Sequence, residues 1–325
     1  MLGILPKSKL ARKEALWFYV FIAPWLIGFI LFRGGPILAS LVLSFTSYSP
    51  GKEVDFIALD NFSRLFGDRI FYKSLQVSAY YTFLSVPLGL VASLSLAVLL
   101  NQKGIPFLGI FRTLYYIPSL VASSVAVALL FTWLLNPKFG IVNYFIALLV
   151  GPNGFIPLGI VGPGWFFDPK WTIPSFVLLS LWGFGGPMLI YLAGLQGVPT
   201  TLYEAATIDG ANAWQRFRHV TIPMISPIIL FTFITGIIGS FQVFTPAYII
   251  SGTTGGGGEG AYGGPAYASM FYVLYLYLQA FRRFRFGYAA AQAWILFIVI
   301  LILTILALRI SRESVYYETP GDNKI

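Results

Sequence analysis

Glu204, Asp209, Gln215, Arg216, Arg218 and His219 crowd into one short stretch, 203–227, of a chain whose other residues are mostly apolar. Their types limit the chemistry open to them. His219 is the sole histidine and there is no cysteine, which excludes a thiolate nucleophile, a disulfide and any Cys-based metal site. A lone imidazole without a carboxylate cluster argues against a metalloenzyme. A Gly-x-x-x-x-Gly-Lys-Ser/Thr phosphate cradle is missing too: Gly51-Lys52 lacks the leading glycine and precedes Glu53, and the glycine run 255–258 is followed by Glu259.

What these residues can do is shape and dock. Thr201 and Glu204 have the spacing at which a hydroxyl caps a helix amide while the carboxylate reaches back, and Asn212 and Gln215 repeat it. Gly210, between the pairs, sits where a left-handed helix cap is expected. Pro223 and Pro227 are expected to stop the second helix and re-aim the chain. The stretch therefore predicts a helix–turn–helix knuckle lying along the membrane surface, with Ala205, Ala206 and Gly210 leaving space for a close neighbour. Read from its spacing, Glu204 fits a helix cap. Arg216, Arg218 and His219 suit lipid headgroups or a partner surface.

A second set of polar residues sits inside apolar runs, where an unpaired polar group is costly. These are Ser119, Ser123 and Ser124, then Trp182 and Tyr191, then Ser240, Gln242 and Thr245. Aromatic faces beside hydrogen-bonding groups suit sugar rings, which are apolar on both faces and carry hydroxyls at the rim. The same residue types also join helices to one another in lipid, so each is a candidate for either role. Arg33 is the one charge within a run; it can snorkel to headgroups, meet a buried partner or contact an anionic substrate.

The elements that must position these residues are long. The 325 residues are 57% hydrophobic and 10% charged, against about a quarter charged in soluble domains. Several uncharged stretches exceed the ~20 residues that a helix needs to cross the hydrocarbon core. They are apolar all round rather than striped, and the ~10-residue alternating segments of a β-barrel are absent. The fold class is therefore an all-α polytopic membrane protein with six transmembrane helices, at about 15–44, 74–100, 113–135, 172–195, 228–250 and 287–308. The first run is too long for a signal peptide and is read as a retained span.

Between spans, residues 139–167 read as an outer loop in which only 141–150 can form a short surface helix. Residues 266–281 fall short of the hydrocarbon thickness, and Tyr267, Tyr272, Tyr275 and Tyr277 suit a headgroup-level belt, which predicts an interfacial helix rather than a seventh span. The formal charge of +9 is scattered without a dense basic face, so anionic lipid rather than nucleic acid is the expected partner. Lys and Arg divide too evenly between the two sides to fix orientation.

Glu204-Ala205-Ala206, three residues, Gly210, nine residues, then Val220-Thr221-Ile222-Pro223 resembles the EAA loop of permease subunits in binding-protein-dependent ABC importers. Val220 stands where that pattern has isoleucine and Ile222 where it has leucine, both conservative departures. Ile208-Asp209-Gly210-Ala211 and Trp214-Gln215 resemble the carbohydrate and glycerol-phosphate branch, the maltose-type permeases. The order of spans is similar over nearly the whole chain.

The resemblance implies a cytoplasmic coupling loop, 197–227, docked in an ATPase subunit through Glu204, Ala205, Ala206, Asp209, Gly210 and Pro223. It implies one permease domain over 15–310, between a cytoplasmic N-terminus, 1–14, and a cytoplasmic tail, 311–325, in the cell membrane of a prokaryote. A second permease subunit, two ABC ATPase subunits and an extracytoplasmic solute-binding protein would be the partners. ATP and Mg would sit on the ATPases, with no cofactor and no enzyme activity on this chain. The glycine run 255–258 reads as a flexible outer loop within reach of the binding protein. The solute would be a sugar moving by alternating access past Ser123, Trp182, Tyr191, Ser240, Gln242 and Thr245. A glycerol-phosphate or other polyol-phosphate is the alternative, which Arg33 favours. A stand-alone secondary carrier needs coupling charges deep in the spans, and apart from Arg33 these runs lack them.

Overall fold

The computed structural model describes residues 9–102, 104–121, 124–255 and 262–311. Ser123, residues 312–325, the first eight residues and most of the glycine run lie outside them. Among the described residues the chain is helical, without a strand. Four helices are long and apolar enough to cross a membrane: Arg12–Ser44, Arg69–Leu100, Ala213–Thr254 and Phe286–Ser311. Leu108–Val121 with Val125–Leu134, and Pro169–Leu181 with Gly185–Gln196, supply two further broken spans, the second bent by 52°. The chain is thus a six-span helical membrane protein in which spans three and four are broken.

The residues group into two compact units. The first takes in the chain to Gly67 together with Leu278–Ile295. Its long helix, span one, exposes apolar side chains along its length, and a π turn at Ile30–Gly34 leaves Arg33 exposed. The end of this helix is tied down by Asn61, whose Nδ2 donates to the carbonyls of Ser44 and Thr46, each at 2.9 Å. Gly287 packs against the same corner so closely that a Cβ would lie 2.1 Å from the Thr46 carbonyl oxygen.

The second unit comprises Asp68–Tyr277 and the chain from Leu296. Span two, Arg69–Leu100, begins at Asp68, whose carboxylate accepts from the amide of Ile70 at 2.8 Å and from the Tyr275 hydroxyl. Spans two, four and five approach through small residues. A Cβ on Gly236 would meet Val86 at 3.2 Å, and one on Gly194 would meet Ile228 at 2.2 Å. Lipid gives helices no hydrophobic reason to associate, so close approach and interhelical hydrogen bonds carry the packing. Ser240 on span five, for example, donates to Thr82 on span two at 2.8 Å.

The short helix Ile141–Val150 forms where expected. Residues 266–281, by contrast, do not make an interfacial helix. They fold as a 3-10 turn, Pro265–Tyr267, a six-residue helix, Tyr272–Tyr277, and the start of a π turn, Leu278–Arg282. Phe271, Tyr272, Leu274 and Tyr275 are buried. The Tyr272 amide donates to Ser78 Oγ at 2.9 Å, and Phe271 packs edge-on against Tyr81 and Phe176. The Tyr275 hydroxyl turns inward to the Asp68 carboxylate and the Tyr272 ring packs edge-on against Phe71, so these tyrosines are held inside the unit rather than on an exposed belt.

Candidate functional site

The knuckle is present, but it is built differently from the expectation. Its first helix, Thr200–Ile208, starts directly after Pro199, with no side-chain cap. Thr201 already lies inside the helix, so the Thr201–Glu204 capping box does not form: the fixed φ of Pro199 turns the chain into the helix two residues too early. At the other end Gly210 adopts φ +78°. The Ala211 amide donates to Ala206 at 2.9 Å and the Gly210 amide to Thr207 at 3.1 Å, the paired bonds of a Schellman cap. The Asn212–Gln215 box is complete, with bonds of 2.8 and 2.9 Å. Arg216 Nη1 then donates across the turn to Thr207 Oγ1 at 2.8 Å, and Tyr203 and Thr221 pair their hydroxyls at 3.0 Å.

Pro223 and Pro227 do not stop the second helix. Ala213–Arg216, the π turn Phe217–Thr221 and Ile222–Phe241 follow without interruption, and together with Thr245–Thr254 they form a 42-residue run, Ala213–Thr254. A proline inside an α-helix lacks the N–H for its i−4 partner. Here the π turn shifts the bonding, with the Ile222 amide reaching Phe217, so Pro223 falls in a first-turn position. The same device precedes Pro36, where the Gly35 amide reaches Ile30. At Pro227 the orphaned carbonyl of Pro223 accepts instead from Ser226 Oγ at 2.6 Å. The second limb of the knuckle is therefore the foot of span five.

The run is interrupted at 242–244; at ~1.5 Å per residue its continuous part, 213–241, would still measure ~44 Å, more than the ~30 Å hydrocarbon core, so part of it stands clear of lipid. Tyr203, Phe217, Val220 and Ile222 seat the knuckle on a buried core that includes Leu94, Leu195, Val198 and Ile225. Outward, Glu204, Ala205 and Asp209 are exposed, and Ala206 and Pro223 are partly buried. Ile208 is 86% and Trp214 66% exposed. Large apolar side chains so bare on a rigid polar element mark an interaction surface.

Higher on the same helix, span five walls a cavity of about 640 Å³. Thr232, Ser240, Gln242 and Thr245 line it from span five, Tyr81 and Ser85 from span two, Ser119 from span three, and Ser180, Phe184 and Tyr191 from span four. Tyr191 is buried behind this wall and pairs its hydroxyl with Thr232. One helix thus runs from the exposed knuckle to the lining of the cavity. A model of the "Binding-protein-dependent transport system inner membrane component" family matches residues 85–314, which takes in both.

The chain belongs to this family. Its relatives agree over nearly their full lengths. The probable ABC transporter permease protein YesP of Bacillus subtilis is 40% identical over 97% of this chain and 96% of its own. The lactose transport system permease protein LacF of Rhizobium radiobacter is 34% identical over 94% and 98%. A chain of a bacterial alginate ABC transporter, solved in complex with an alginate-pentasaccharide-bound periplasmic protein, superposes with a TM-score of 0.77 over 95% of this chain and 98% of that one. At 21% identity, that likeness speaks to the fold.

In this inner-membrane component, Ser240, Gln242, Thr245, Tyr191 and Ser119 meet at one cavity, as the sequence reading grouped them. Trp182 does not line it. Span four breaks after Leu181, so 182 and 191 do not share a helix face, and the Trp182 ring packs edge-on against Phe131. Ser124 caps the second half of span three, accepting from the Val127 amide at 3.2 Å. Sequence reasoning passed over Tyr81, Ser85, Ser180 and Thr232. A signal was available for span two: residues 74, 78, 82, 85, 89 and 93 are all Ser, Thr or Gly, at helical spacing along one stripe.

Proposed function

We propose that this inner-membrane component is one permease subunit of an ATP-driven sugar importer. It pairs with a second permease to enclose the path, with two ABC ATPase subunits at the knuckle and a solute-binding protein on the opposite side. The knuckle, the N-terminus and the tail then lie in the cytoplasm, and ATP and Mg belong to the ATPases. The relatives named for lactose, arabinooligosaccharides and trehalose/maltose transport favour a saccharide. The observation that carries the reading is the uninterrupted helical run 213–241, which bears both the exposed knuckle and, at Thr232 and Ser240, part of the cavity wall. Closure of the ATPases on the knuckle swings span five, and the cavity opens to the other side as a rigid-body change.

Replacing Glu204 by Lys, at the exposed face of the first helix, tests the docking. Co-purification with the ATPases and substrate-stimulated ATP hydrolysis should both fall. Unchanged association and hydrolysis would remove the docking role.

A further inference from the structure

The cavity sits in a chain of formal charge +9, yet none of its described lining residues is charged. What lines it is hydroxyl-rich, and the direction of those hydroxyls' bonds decides what they can offer. Ser119 Oγ donates to the Tyr116 carbonyl at 2.7 Å, and Ser180 Oγ to Val177 at 2.7 Å. Thr232 Oγ1 donates to Ile228 at 2.9 Å, which leaves Tyr191 to act as donor toward Thr232. Ser240 Oγ has both Ile237 O and Thr82 Oγ1 within 2.9 Å, and Thr82 already donates to Ser78. A hydroxyl carries one proton and two lone pairs. With each proton engaged on its own or a neighbouring helix, four side chains on spans three, four and five present acceptors to the cavity.

From this we infer that the cavity selects an uncharged saccharide and rejects uronic acids and sugar or polyol phosphates. The inference rests on the cavity being the sugar path. Sugar hydroxyls can donate to the acceptor wall while their ring faces lie against Phe184. A carboxylate or phosphate oxygen is acceptor-only under these conditions. It meets those lone pairs on spans three, four and five, and the lining donors left to it, the Gln242 amide and the Tyr81, Ser85 and Thr245 hydroxyls, are all uncharged. No cation among this chain's described lining residues offsets the loss of its water shell, which is costly at membrane depth. The alternative solute, a polyol phosphate, is disfavoured on the same ground.

The test uses the chain assembled with its second permease and ATPases in nanodiscs, without binding protein, and reads ligand binding by saturation-transfer NMR. The probes are maltose, lactose, cellobiose and arabinobiose, with digalacturonate and glycerol 3-phosphate as anions. At least one neutral disaccharide should bind, and both anions should bind about tenfold or more weakly, the scale of one missing charge-assisted hydrogen bond. Gln242→Arg, or Thr245→Lys should the first fail to assemble, should bring digalacturonate binding up by a similar factor. An anion bound by the unaltered chain as tightly as the best neutral sugar would overturn the selectivity while leaving the cavity as a solute path. Silence from every compound would overturn the sugar path itself, and the inference with it.

Discussion

The Arg216 guanidinium donates to the Thr207 hydroxyl at 2.8 Å, across the turn at Gly210. Thr207 lies on the exposed knuckle helix, and Arg216 on the foot of the helix whose upper part walls the cavity. Together with the Asn212–Gln215 box and the Tyr203–Thr221 pair, this bond makes the knuckle and span five one body. An element that moves as a unit can carry a push at one end to the other.

Gly210 holds that body at its corner. Its φ of +78° has no obstruction around a notional Cβ, so Gly210→Ala meets backbone strain alone, roughly 1–2 kcal/mol for an L-residue in the left-handed region. The variant should express and insert, but melt a few degrees lower and co-purify less ATPase. Wild-type melting and association would show that the cap does not shape the docking surface.

Ser226 and Pro227 make a sharper pair. Ser226→Ala leaves the Pro223 carbonyl without its 2.6 Å bond, at a cost of about 1–3 kcal/mol for a buried polar group. Ser226→Ala with Pro227→Ala restores a donor, because Ala at 227 supplies the i−4 amide. Melting curves should therefore show the double variant more stable than the single one. Additive losses would mean that the hydroxyl has no compensating role.

The π turn before Pro223 was not legible in the sequence, and it explains most of what the residues alone mis-stated about the knuckle. Proline reads as a stop because its ring and missing N–H oppose an α-helix. That reading fails where the preceding turn has already shifted its hydrogen bonds by one residue, and composition carries no mark of the shift. Thr201 failed for a similar local reason, since the helix start was set by Pro199. The six apolar runs and Gly210 were legible because length against bilayer thickness and the need for positive φ are local demands. The cavity was half legible. Gln242 and Thr245 stand out as polar residues in an apolar run, whereas Ser85 and Thr232 look like ordinary helix-joining residues until the packing shows which way they face.

Gly185 and Gly186 separate contact from flexibility at the break of span four. A Cβ on Gly185 would lie 2.0 Å from the Tyr115 carbonyl oxygen, whereas one on Gly186 has no neighbour nearer than 3.9 Å. Gly185→Ala should thus lower the melting point by several degrees and weaken ligand binding, because it parts spans three and four at the cavity wall. Gly186→Ala should be close to neutral. Equal effects from both would mean that the break needs backbone freedom rather than close approach.

The central claim is that the knuckle and the cavity wall move together, and the absence of cysteine makes it directly measurable by paired spin labels. Trp214→Cys and Phe231→Cys place two exposed labels on the same helix, ~26 Å apart at ~1.5 Å per residue. Trp214→Cys with Tyr80→Cys spans from the knuckle to span two. When the assembled importer is trapped with nucleotide, the 214–231 distance should hold constant while the 214–80 distance shifts. A change within 214–231 with 214–80 unmoved would show that the helix yields between knuckle and cavity, and the lever would be lost.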